Sequence, residues 1–83
     1  MMCPYIDEES RDELSNLFDF KSVRLDAGEL NYVITRLLLA TKPKCYRDYN
    51  ELIGVLECCK MELARRRLFP YEDARREENG DVY

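Results

Sequence analysis

The chain has 83 residues, a formal net charge of -4 and a pI near 4.8. That length holds one domain, read here as residues 1–83, and leaves no room for a second. The acidic balance disfavours phosphate binding driven by bulk charge, and the absence of a long apolar run excludes a membrane-spanning role.

The first helix is expected over about 7–17. Asp7 can accept backbone N–H bonds as its N-cap, and Glu8 and Glu9 sit where the helix dipole favours negative charge. Leu14, Leu17 and Phe18 share one face at i, i+3, i+4. Residues 19–25 show no helical stripe and read as a connector, held to the core by Phe20, Val23 and Leu25.

Asp26 and Glu29 form a capping box in its aspartate form. They open a helix of about 27–41 in which Leu30, Val33, Ile34, Leu37 and Leu38 make one core-facing stripe. Lys42-Pro43 should end it, because the residue before a proline is pushed away from helical angles.

The longest helix should run over about 46–68, with Tyr49, Leu52, Val55, Leu56, Cys59 and Leu63 facing the core. Glu62 and Arg66 are spaced for an i, i+4 ion pair. Pro70 is expected to break or kink this helix. A short charged helix, about 71–78, then stops at Asn79-Gly80, a common C-terminal signal. The fold expected is all-α: a small antiparallel helical hairpin, 26–41 against 46–68, braced by short N-terminal and C-terminal helices.

Two helices carry a second face that is not fully polar. Tyr32, Thr35 and Leu39 lie opposite the main stripe of the 27–41 helix, and Asn50, Gly54, Cys58 and Met61 lie opposite that of the 46–68 helix. Gly54 costs about 1 kcal/mol relative to alanine inside a helix, which suggests close approach by another element or simple tolerance. These faces either pack within the domain or serve an oligomer or partner. On the second reading Tyr32, Leu39, Asn50, Gly54, Cys58 and Met61 form the interface, most commonly a two-fold contact between copies.

Little supports catalysis. There is no histidine, hence no base of the usual kind near neutral pH. Ser10, Ser15 and Ser22 have no such partner, and the carboxylate pairs fall on faces that read as solvated. Cys3, Cys45, Cys58 and Cys59 lack the Cys-x2–4-Cys hook of a zinc site and the spacing of a disulfide framework. No metal or cofactor is expected. A reduced, cytoplasmic protein fits the cysteine usage, and the first residues do not read as a targeting segment. Arg65, Arg66 and Arg67 form the one compact basic cluster; placed in a last helical turn they satisfy free carbonyls, and they are also the chain's anion-binding candidates. Tyr46, Tyr49 and Tyr71 lie near enough in sequence to stack on a base.

The stretches Gly28-Glu-Leu-Asn-Tyr-Val-Ile-Thr35, Tyr49-Asn-Glu-Leu-Ile-Gly-Val-Leu-Glu57, Pro70-Tyr-Glu-Asp73 and Glu78-Asn-Gly-Asp-Val-Tyr83, with Pro4-Tyr-Ile6 at the start, resemble an uncharacterised family of small proteins from tailed phages and prophages. The resemblance covers nearly the whole chain. Members often carry a bulky residue in place of Ala64, and Val-Ala in place of Leu68-Phe69. It implies a phage-encoded protein in the host cytoplasm that acts by stoichiometric binding, on a host or phage protein. The alternative expectation is an inhibitor of host antiviral defence that sequesters a signalling nucleotide or blocks a defence complex.

Overall fold

The computed structural model describes residues 5–19 and 23–83. Cys3, Pro4, Phe20 and Ser22, all named above, lie outside them. Among the described residues the chain is all-helical, without strands. It divides into two units, Met1–Ile34 and Thr35–Tyr83, with the boundary inside the second helix.

In the first unit, helix α1 spans Glu8–Leu17. Its N-cap is Asp7, in extended geometry, whose Oδ1 accepts the Ser10 N–H at 2.8 Å. Those bonds, from the Ser10 N–H first and its hydroxyl second, hold the Asp7 carboxyl below its ordinary range. Residues 23–26 are non-helical, as the missing stripe implies. Helix α2, Ala27–Leu39, opens with the expected capping box: Glu29 N–H donates to Asp26 Oδ1 at 2.8 Å, and Asp26 N–H donates to Glu29 Oε1 at 3.0 Å.

In the second unit α2 ends at Leu39, two residues earlier than Lys42-Pro43 suggests. The last turn tightens: Thr41 and Lys42 N–H donate to the Leu38 and Leu39 carbonyls at 3.1 and 3.0 Å, and the Thr41 hydroxyl also donates to Leu38, at 2.6 Å. Lys42 takes the left-handed conformation (φ 59°) that ends the helix before Pro43. Helix α3, Tyr46–Leu63, starts where expected. Its N-cap, Cys45, makes no side-chain cap bond; Asp48 instead accepts the N–H of the preceding residue, Lys44, at 2.9 Å.

The larger departure lies beyond Leu63. Pro70 neither ends nor separates a helix. Ala64–Leu68 forms a single π-helical turn, and helix α4, Phe69–Asn79, continues from it with the junction residues in right-handed helical geometry. The physical reason is local. Proline has no N–H and its ring collides with the carbonyl four residues back. In the widened turn Phe69 N–H bonds the Ala64 carbonyl five residues back, so the hydrogen-bond register has shifted just before Pro70. Pro70 then occupies the start of α4, where its missing donor matters least. The expected helices 46–68 and 71–78 are therefore one rod of 18, 5 and 11 residues. Gly80, at φ 85°, stops it as Asn79-Gly80 suggests.

No described residue is buried. The stripes expected to face a core are half-buried at best (Leu38, Leu52, Leu56) or exposed, with Leu37 at 56% and Leu63 at 65%.

Candidate interaction surface

The geometry of the long helix governs what this surface can do. At about 100° per residue, the α3 stripe runs through Tyr49, Leu52, Leu56, Cys59 and Leu63, alternating three and four residues. Continued without interruption, that spacing would pass through Arg66, Pro70, Asp73 and Glu77. The π turn adds one residue, about 100° of phase. The stripe consequently continues through Arg67, Tyr71, Ala74 and Glu78, with Leu68 on its flank. One apolar face thus extends from Tyr49 to Ala74, interrupted only by Arg67. Sequence reading missed this continuity; the available signal was that Leu68, Tyr71 and Ala74 fall in phase once a single residue is skipped.

The opposite face of α3 carries Asn50, Gly54, Cys58 and Met61 together, all exposed, Met61 at 57%. A Cβ built on Gly54 would meet nothing within 4 Å. No element among the described residues therefore makes the close approach that a helical glycine permits. On α2, Tyr32 (61% exposed) and Leu39 lie on a second face, and Asn31 is also exposed. Cys45, Cys58 and Cys59 are free, exposed thiols.

The arginine triplet sits inside the rod, not in a last turn. Successive residues of a helix diverge around its axis, so the three guanidinium groups do not converge on one anion. Arg66 Nε lies 2.7 Å and Arg65 Nη2 3.6 Å from the carboxylate of Glu62, as the i, i+4 spacing of Glu62 and Arg66 suggests. Both arginines are exposed, so the pairs contribute little each. Arg67 makes no ion pair among the described residues and falls in phase with the apolar stripe. Tyr46, Tyr49 and Tyr71 are exposed.

Two further features are local. The flank of α1 presents Asp7, Glu8, Glu9, Asp12 and Glu13 around a shallow depression. At the C-terminus the tail hooks back: Gly80 N–H donates to the Arg76 carbonyl at 2.8 Å, Tyr83 N–H donates to Asp81 Oδ1 at 3.1 Å, and Arg76 Nη1 lies 3.8 Å from Asp81 Oδ2. No group of metal-binding side chains occurs among the described residues, and none of their helices is long and apolar enough to cross a membrane.

What these features define is an all-helical chain whose apolar stripes face outward. The chain belongs to the family described as a domain of unknown function (DUF6899), whose model matches residues 2–82. No curated protein and no solved structure matches it.

Proposed function

We propose that the protein acts by stoichiometric binding, without catalysis, and that it does so as a self-associating assembly. The observation that carries this reading is that no described residue is buried, so the apolar stripes of α2 and α3 are half-buried at best. A chain that leaves every apolar stripe in water forgoes the main favourable term in folding, about 25 cal/mol for each Å² of apolar surface buried. Burial in an assembly restores that term. Within the assembly, α2 and the first half of α3 pair as an antiparallel hairpin, with α1 bracing it. The second faces, Tyr32 and Leu39 on α2 with Asn50, Gly54, Cys58 and Met61 on α3, are left for a foreign protein. In this reading the protein is phage-encoded and works in the host cytoplasm, as the motif resemblance implies. Inhibition of a host defence complex is the narrower form of this reading. Sequestration of a signalling nucleotide would fall to Arg67, the arginine not engaged by Glu62.

The test is the solution mass by light scattering, with thiols kept reduced. A multiple of 9.9 kDa is expected. A stably folded monomer at micromolar concentration would refute self-association and send the search to host-lysate partners. A thermal-shift panel of cyclic and linear oligonucleotides checks the nucleotide form. A ligand at 100 times its dissociation constant adds about 2.7 kcal/mol of stability.

A further inference from the structure

The continuous helix offers a seam, and its register points to one occupant. We infer that the Tyr49–Ala74 stripe pairs antiparallel with the same stripe of a second copy, Leu52 meeting the partner copy's Tyr71 and Leu56 meeting its Arg67. This rests on the self-association proposed above and specifies its surface.

Three observations carry it. The first is register. In an antiparallel pair of helices, layers form between one heptad position and the other, a against d. With the π turn counted, a falls on Tyr49, Leu56, Leu63 and Tyr71, and d falls on Leu52, Cys59, Arg67 and Ala74. A single alignment then pairs Tyr49 with Ala74, Leu52 with Tyr71, Leu56 with Arg67 and Cys59 with Leu63. The largest side chain of the first turns meets the smallest of the last, as interdigitation requires. The π turn is what makes this possible, since without it Leu52 would face Pro70.

The second observation is charge. Residues 46–59 carry one arginine against three carboxylates, whereas 64–79 carry five arginines against four carboxylates. Antiparallel pairing sets the acidic half against the basic one. Parallel pairing would set Arg67 on Arg67 in the seam with Arg65 and Arg66 beside it, a like-charge cluster at low dielectric. Opposite Leu56, the Arg67 stem packs on apolar surface while its head reaches water at the edge.

The third is exposure. Along the stripe Tyr49 is 50%, Leu63 65% and Tyr71 62% exposed, so the free chain leaves the seam open to a second copy.

The experiment is disulfide trapping in a full-length background with the four native cysteines replaced, Cys59 by alanine and the others by serine. L52C and Y71C chains are prepared separately and mixed under mild oxidant. Antiparallel pairing gives a cross-linked heterodimer from the mixture and no cross-link from either chain alone, because the two copies of position 52 lie about 28 Å apart. Cross-linking of each chain with itself would overturn the orientation. A dimeric mass with no cross-link in any combination would overturn the seam while leaving self-association standing. A monomeric wild-type chain would overturn both. Should the cysteine variants fail to fold, Arg67→Leu in the otherwise unaltered chain decides. Replacing the one charge in the seam should lower the dimer dissociation constant at least tenfold by sedimentation, and an unchanged constant places Arg67 outside the interface.

Discussion

Gly54→Ala separates a free face from a covered one. Gly54 lies in the middle of α3 and needs no left-handed geometry, so alanine is conformationally allowed. Its new methyl group would meet nothing within 4 Å, and the substitution neither fills a cavity nor causes a clash in this chain. What remains is backbone entropy, which favours alanine over glycine in a helix interior by about 1 kcal/mol. For a domain of this size that raises Tm by about 4–8 °C. Thermal unfolding followed by circular dichroism at 222 nm, wild type and variant at one matched concentration, reads the shift. Matching matters because the melting point of an assembly depends on concentration. A rise leaves the face open in the free protein and available to a foreign partner; Gly54→Leu should then abolish partner capture while the solution mass is unchanged. A fall in Tm would refute the reasoning, because it requires another surface pressed against the glycine.

Further tests address the caps and charges. Asp26→Ala removes one arm of the capping box and should cost about 1 kcal/mol, read as faster amide exchange at Glu29 and in the first turn of α2; unchanged exchange would mean the box is not formed in solution. Glu62→Gln releases Arg65 and Arg66 together, yet the pairs are exposed, so a loss below about 1 kcal/mol that shrinks as salt is raised is expected. The Asp7 carboxyl is held below its ordinary range by Ser10, so its cap is fully present above the ordinary carboxylate pKa and is lost as pH falls through the lowered one. Protection of the Ser10 amide should therefore fall only under strongly acidic conditions, and Asp7→Asn should flatten that dependence; loss of protection already between pH 5 and 6 would contradict the assignment.

Helix caps were the most legible part of the fold. Asp7, the Asp26/Glu29 box and Gly80 act through bonds within three or four residues, and such bonds are written directly in the sequence. The end of α2 was less so, because the Thr41 hydroxyl and the left-handed Lys42 act before Pro43 has its effect. Pro70 misled for an instructive reason. A proline rule assumes α-register hydrogen bonds upstream, and the π turn over Ala64–Leu68 removes the very clash on which the rule depends. The same turn displaced the arginine triplet from a helix end to a helix interior. That α3 carries a second, not fully polar face was visible from spacing, whereas its exposure was left open. That the primary stripes also lack a buried residue was not legible, because a hydrophobic period records that a face needs covering and is silent about which chain covers it.

The π turn also has a mechanical consequence. Long helices bend where a π turn or a proline breaks the regular hydrogen-bond ladder, and here both fall within residues 64–70. Bending of the helix from Tyr46 to Asn79 is therefore concentrated there. A change of about 5° at that point carries the Gly80 hook, about 16 Å further on, through about 1.4 Å.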